Sequence, residues 1–592
     1  MASFDLPAET GAVPSRLSGA VWRAKVTLLQ AQRLAQDLRD ALPRHRPQPR
    51  DKSRFPLVLA RSETPLWSDE TIAERRLQLG KVQNLRCAVR ALNGLVLPAG
   101  QIFSFWRQIG RTTAERGYAP GRELREGCVI PSPGGGLCQL SNALYGIALD
   151  SQGEIVERHR HTRTFPGSSA AAGRDATVFW NYRDLRFRFT QEIRIEAQLT
   201  RTTLVVQLRA RSAPAEVPPP VPATPRRIPL LDPVAHGCLT CGESACFRHN
   251  EDAVRRLRAP ATEPSAFLLE ECWPEFQRWV SEERIVDRDR LAIPIHGALW
   301  RTPRYAWDTA GFARVDTALL PAVGRALEAR RLRSSPPATV RAAQLRGAER
   351  LACALARTLT ADVAHLRIAI SLLPYLWREG HLGGRTFDVV LTRQPLAYLH
   401  QSLDEALARF PERRLLGDFR APEDLVAAEA EALAAADRII TPHAEIARRF
   451  GKRAVLLPWL LPRTERVSPC GTSGTIAFPG PAAARKGAYE VREAARALGL
   501  TVLLIGKSLE GPDFWEGIPT RRSDDDWLSE EIGAVVQPAV VEDQPRALLR
   551  AIAAGLPVIA TAACGLGDAY PDVTTIPALD AAALVDALRD RL

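Results

Sequence analysis

The sequence predicts an α+β domain followed by an α/β pair of Rossmann-like domains. Three observations carry this. Residues 176–208 contain short segments that alternate apolar and polar side chains (TVFWNY, LRFRFT, IRIEAQL, LVVQLRA), behind helical patterns over 71–97 and 138–149. Eight prolines between Pro214 and Pro233 impose extended backbone with no packed core, which marks a linker. Beyond it, apolar runs alternate with Ala/Leu/Arg-rich helical stretches: DVVLT with LDEALARF, RIITP with AEIARRF, TIAFPG with YEVREAARAL, TVLLIG, AVVQP with PRALLRAIAAG, and PVIATA. Such repetition means parallel sheets covered by helices.

In chain order the reading is a helical lead-in over 1–60, with an amphipathic, Arg-rich pattern at 22–42, and the α+β domain over 61–212. A Pro-rich linker with a Cys/His cluster follows over 213–260, then two Rossmann-like halves over 261–467 and 468–592. A chain of 592 residues has room for about four domains, and 46% hydrophobic with 25% charged residues excludes disorder over most of it. The net charge of +12 is spread as isolated arginines and favours anionic partners. MASFDLPAET lacks the order of a secretory signal, and the longest uncharged stretches, such as 551–567, fall short of the roughly 20 apolar residues that cross a bilayer. A cytoplasmic location is therefore expected. Seven of the ten cysteines are scattered singly, which is not a disulfide framework.

PGGGLCQLSNALYGIAL over 133–149 puts three glycines before an amphipathic helix, with Cys138 in its first turn. There, free N–H groups and the helix dipole favour a thiolate. ERHRHT offers His159 and His161 at i and i+2, on one face if the segment is a strand, and Asp175 follows in GRDATVFWNY. Cys138, His161 and Asp175 stand in the order of papain-like and transglutaminase-like sites, in which His deprotonates the thiol and Asp orients His. The same spacing accommodates a structural turn with Cys138 as a small buried apolar residue.

KVQNLRCAVRALNGLVLPAGQIFSFWRQIGRTTAERGY, GGGLCQLSNALYG, ERHRHT and DATVFWNYRDLRF resemble, in that order, the VanW family over about residues 60–210. The resemblance implies a bacterial cell-envelope or antibiotic-resistance context and no stated chemistry. SSAAAGR, between the histidines and DATVFWNY, is shorter than the family's usual tract, which bears on Asp175.

HGCLTCGESACFRHN supplies Cys238, Cys241, Cys246 and His249 in a CxxCx4CxxH spacing. Two thiolates three residues apart grip one ion, and the intervening turn brings two more ligands, as in short zinc knuckles. A structural Zn is the expected occupant, with an iron–sulfur centre or unliganded thiols as alternatives.

The C-terminal motifs resemble the GT-B glycosyltransferases of the retaining, nucleotide-sugar-dependent group. ADVAHL, FDVVLTRQP, ADRIITPHAEIARRFG and AVLLPW resemble the acceptor-side half; TIAFPGPAAARKG, TVLLIG and AVVEDQPRALLRAIAAGLPVIATAACGLG resemble the donor-side half. The turn at Gly480, with Lys486 and Gly487 ahead of a helix, combines N–H groups, a helix N-terminus and a cation for a diphosphate. The resemblance implies that Lys486 contacts phosphate, that Arg485 stands in for an arginine the family places where this chain has Pro481, and that Glu542 is the first of two donor-holding glutamates. Arg550 occupies the second position, a cation where ribose would meet a carboxylate, two helical turns along and placed to pair with Glu542. The loop with Gly565 and Gly567, and the histidines His365, His381, His400 and His443, are further candidates.

The leading functional reading is sugar transfer from a nucleotide-sugar donor to an envelope or specialised glycan acceptor, glycan or lipid-linked, with peripheral membrane contact and no nucleic acid. Two alternatives stand beside it: a non-catalytic GT-B scaffold, and a cysteine-dependent acyl or peptide enzyme centred on Cys138.

Overall fold

The computed structural model describes residues 16–40, 42–48, 53–67, 72–125, 128–161, 173–180, 182–213, 263–333, 335–464, 474–523 and 527–591. The chain forms two compact units. The first comprises Met1–Pro264, Leu359–His365 and Glu379–Thr386; the second comprises Ser265–Thr358, Leu366–Arg378 and Phe387–Leu592.

The first unit is built on a four-stranded antiparallel sheet in the spatial order Leu57–Pro65, Thr203–Ala210, Ile193–Leu199, Leu95–Leu97. The helices Ile72–Leu92 and Cys138–Asp150 pack on it through a core that includes Leu85, Leu92, Leu144, Ile147, Ile195 and Val206. A smaller sheet of Phe103–Ser104, Arg186–Arg188 and Glu154–Glu157 is closed by stacking of Phe103 on Phe187 with ring centroids 4.5 Å apart. The helical pattern expected over 71–97 ends at Leu92 and turns at Gly94 into the strand Leu95–Leu97. TVFWNY, expected as a strand, joins no sheet: its described residues contribute one isolated bridge, Phe179 to Arg183, because Thr177 N–H bonds instead to the His159 carbonyl.

The second unit holds two sheets. In the seven-stranded sheet the order is Arg314–Thr317, Arg290–Ile293, Ser265–Leu268, His365–Ala369, Thr386–Val390, Ile439–Thr441, Ala454–Leu456. In the six-stranded sheet it is Thr520–Ser523, Thr501–Ile505, Thr475–Pro479, Ala534–Gln537, Val558–Thr561, Thr574–Ile576, with every pair parallel. Both start with the Rossmann order 3-2-1-4, so each has a point where the chain reverses its direction of winding and leaves a crevice at the carboxyl ends of two neighbouring strands. Strands such as Ala534–Gln537 and Val558–Thr561 are buried at every residue, as expected with helices on both faces.

Gly487, at the start of the helix Ala488–Leu498, has φ +87°, and a Cβ there would lie 2.3 Å from the Pro538 carbonyl oxygen. Gly487→Ala is therefore expected to destabilise the protein by about 2 kcal/mol or more, read as a lower urea midpoint at unchanged slope. No described helix is long and apolar enough to cross a membrane.

Candidate functional site

In the first unit the glycine turn delivers Cys138 as the first residue of the helix Cys138–Asp150. Gly136 has φ +93°, and a side chain there would strike Lys81, whose Cγ is 2.2 Å from the ideal Cβ position. Residues 175–178 run alongside the helix in an extended path. They are tied to it by Ser141 Oγ donating to the Ala176 carbonyl (2.5 Å) and Ala176 N–H donating to Asn142 Oδ1 (2.7 Å). They are tied to residues 158–161 by Arg158 Nε donating to the Asp175 carbonyl (2.7 Å) and Thr177 N–H to the His159 carbonyl (2.8 Å).

This frame brings Cys138, His161 and Asp175 together. The fully buried Asp175 carboxylate accepts from His161 N–H at 2.6 Å and from His161 Nδ1. The imidazole also acts on Cys138, whose Sγ lies 3.7 Å from Thr177 Oγ1 and 3.9 Å from the Val178 carbonyl. Burial alone would raise the thiol, but the hydrogen bond and charge of His161 outweigh it and hold Cys138 below its ordinary value. For His161, burial opposes the charge, and the bonds to Asp175 and Cys138 override it and raise the imidazole to about 10. Thiolate and imidazolium thus favour one another across this pair.

The two histidines do not share a strand face. The strand Glu154–Glu157 ends before them, and His159 turns to Glu157 at 2.9 Å while His161 turns to Asp175.

In the second unit both reversal points carry buried polar clusters. On the six-stranded sheet Lys486 and Gln537 meet at Glu542: Lys486 Nζ is 2.8 Å from Glu542 Oε2, Gln537 donates to the same oxygen, and Gln544 N–H donates to Oε1 at 3.0 Å. On the seven-stranded sheet Glu270 and Ser371, each two residues past its strand, are hydrogen-bonded, and Arg325 pairs with Glu270 at 2.5 Å. Asp543 joins the halves by accepting Gln394 N–H at 2.9 Å.

Arg341 and Arg485 stack on Phe419, with guanidinium carbons 5.7 and 4.4 Å from the ring centre. Neither guanidinium has a hydrogen-bonded partner among the described residues, and Phe419 itself has φ +66°. Burial lowers both: it takes Arg341 to about 10 with help from the charge of Arg393, and it lowers Arg485 against the pull of Glu542, Asp543 and Asp418.

Gly480 makes the tight turn after the strand Thr475–Pro479, its N–H on the Ile505 carbonyl at 2.6 Å. Arg550 and Glu542 do not share a helical face: the helix begins at Arg546 behind Pro545, so Glu542 lies ahead of it. The Arg550 guanidinium sits over Trp527 instead, 5.5 Å from the ring centre.

Of the four histidines, His443 reaches the cleft. Its Nδ1 caps the helix Ala444–Phe450 by accepting Ile446 N–H, so Nε2 carries the proton donated toward the Glu542 (3.0 Å) and Ala563 (3.2 Å) carbonyls. His365 bonds Thr386, His400 accepts Ala421 N–H, and burial with the charge of Arg90 holds His381 down to about 3.

Cys238, Cys241, Cys246 and His249 lie outside the described residues. Among the described residues no three His, Cys, Asp or Glu side chains are grouped to hold a metal ion.

Sequence reasoning missed Arg341, Phe419, Glu270, Ser371 and Gln537. Only Gln537 left a signal, a polar residue ending the apolar run AVV.

Residues 80–209 match the family model for VanW like protein. The Vancomycin B-type resistance protein VanW of Enterococcus faecalis is 33% identical over 137 residues, covering 23% of this chain and 50% of that protein. The chain spans about half the length of the curated relatives it matches. Glycosyltransferases are among the solved structures it resembles. HepE of Anabaena, solved in complex with UDP and glucose, covers 55% of this chain and 89% of its own at 12% identity and TM-score 0.32. Sucrose-phosphate synthase of Thermosynechococcus elongatus covers the same shares at 14% identity and TM-score 0.36.

Proposed function

We propose that the second unit transfers a sugar from a nucleoside-diphosphate donor to an envelope or specialised glycan acceptor. The observation that carries this is the 3-2-1-4 strand order with Lys486, Gln537 and Glu542 at the reversal point of the six-stranded sheet. Ligands of open α/β sheets bind at that point, and a diphosphate there meets the Lys486 ammonium and the N-terminus of the helix Ala488–Leu498. Arg341 and Arg485 are the further cations of the cleft, desolvated and without hydrogen-bonded partners among the described residues. When phosphate takes Lys486, Glu542 keeps Gln537 and Gln544 N–H and is free to orient the donor sugar through its remaining acceptor sites. Glu270 and Ser371, at the other sheet's reversal point, are the groups for the acceptor hydroxyl. Retention of anomeric configuration is the expected outcome, read by NMR of the product. A lipid-linked acceptor at the inner membrane face fits the surplus of basic residues.

A non-catalytic scaffold is the second reading, favoured by the Lys486–Glu542 pair already closed in this state and by Arg550 over Trp527. The two part on turnover. Incubation with UDP-, GDP- and ADP-sugars and a pool of lipid-linked and soluble glycans should release nucleoside diphosphate in step with sugar incorporation. Tight binding with no release from any donor would establish the scaffold.

A further inference from the structure

We propose that the first unit carries a second active site, in which Cys138 is the nucleophile of an acyl transfer, His161 the general base and acid, and Asp175 the residue that positions His161. This goes beyond sugar transfer and rests on different residues.

Three features of the geometry point to it. The imidazole is fixed at one nitrogen and one backbone amide by a single fully buried carboxylate, which leaves its other nitrogen for the sulfur. Cys138 is partly accessible as a residue and the His161 side chain beside it is 19% exposed, whereas Asp175 is fully buried, so a substrate would approach from the cysteine and histidine side. The third feature is the Cys138 N–H. The next three amides of the turn are committed, Gln139 to the Gly136 carbonyl and Leu140 and Ser141 to that of Leu137, while the Cys138 N–H has no partner among the described residues. A donor beside the attacking sulfur at a helix N-terminus is where an oxyanion forms when that sulfur adds to a carbonyl.

These features select the substrate class. A carboxylate-oriented imidazole next to a thiolate both gives and takes a proton, which acyl transfer requires in each half-reaction. The Sγ thiolate adds to an ester or amide carbonyl carbon, and the resulting oxyanion meets the Cys138 N–H. Collapse breaks the bond to the leaving alcohol or amine, which takes the proton from His161 and departs, leaving a thioester on Cys138. Water or a second nucleophile then gives its proton to His161 and attacks the thioester, releasing the acyl product and restoring the thiolate–imidazolium pair. No electrons change hands. The basic residues Arg158 and Arg160 beside His161 favour an acyl donor that also carries an anionic group.

The test uses the full chain with p-nitrophenyl acetate as acyl probe and iodoacetamide as thiol probe, read by nitrophenolate release and by mass spectrometry of the Cys138 peptide. The wild type should give a burst with one acetyl group on Cys138, absent in Cys138→Ser. His161→Ala should slow acylation at pH 7 by about a thousandfold, and Asp175→Asn by roughly ten- to a hundredfold. Alkylation of Cys138 in the wild type should reach half its maximal rate at a pH below that of an ordinary thiol, because the neighbouring imidazolium favours the thiolate. In His161→Ala it should rise only above the ordinary thiol range, because burial of the sulfur is then no longer outweighed by the imidazolium. Should the Asp175 variant fail to fold, the wild-type pH profile decides alone. An unacetylated Cys138 that alkylates with an ordinary thiol profile, or a folded His161→Ala with wild-type acylation, overturns the proposal.

Discussion

Replacing Arg341 and Arg485 together by Ala should remove the nucleoside-diphosphate binding proposed for the second unit, and each single replacement should weaken it about ten- to a hundredfold. Both guanidiniums are already desolvated against Phe419 with no bonded carboxylate, so a phosphate gains their charge without first breaking an ion pair. Hydrogen bonds to charged groups contribute about 1.5–3 kcal/mol each, and each 1.4 kcal/mol is a factor of ten in affinity. Arg485→Lys should rescue little, since an ammonium neither stacks on Phe419 as a plane nor offers the two-pronged fork. Equilibrium titration of each variant checks this. Unchanged affinity in Arg341→Ala would assign the diphosphate to the six-stranded sheet alone.

Glu542→Ala is the most destabilising single change expected in this unit, at about 3–5 kcal/mol, because it strands the buried Lys486 ammonium and the Gln537 amide at once. A loss of that size lowers the melting temperature by roughly 10 °C. Lys486→Met should cost much less, since Glu542 keeps Gln537 and the Gln544 N–H. Differential scanning calorimetry orders the two variants. A Lys486→Met at least as damaging as Glu542→Ala would mean that the lysine, not the carboxylate, organises the cluster.

Much of this architecture was legible because its strands are buried on both faces. AVVQ, VIAT and TVLLI read as short apolar runs between helices, and the structure makes them neighbours in one parallel sheet. The glycine turn into Cys138 was legible for a local reason: three glycines leave room for a left-handed turn that opens a helix. The loop geometry that seats His161 on Asp175 was not. Aromatic alternation in TVFWNY suggested a ladder, whereas Thr177, Arg158 and Ser141 hold that segment by bonds to separate partners. The cleft is harder still to read. Arg341, Phe419 and Arg485 are dozens of residues apart and meet only because of how the sheets are wound. Glu270 and Ser371 meet because their strands are spatial neighbours although about a hundred residues separate them. The expected Arg550–Glu542 pair assumed one helix through both residues, and Pro545 starts the helix between them.

The central claim is that the cleft of the second unit holds a nucleoside diphosphate, and calorimetric titration of the full chain with UDP, GDP and ADP tests it most directly. The account predicts saturable binding of about one molecule per chain for at least one of the three, with the corresponding nucleoside bound far more weakly and the affinity falling as salt screens the phosphate contacts. No saturable heat with any of them, or binding that the nucleoside alone reproduces, would contradict it.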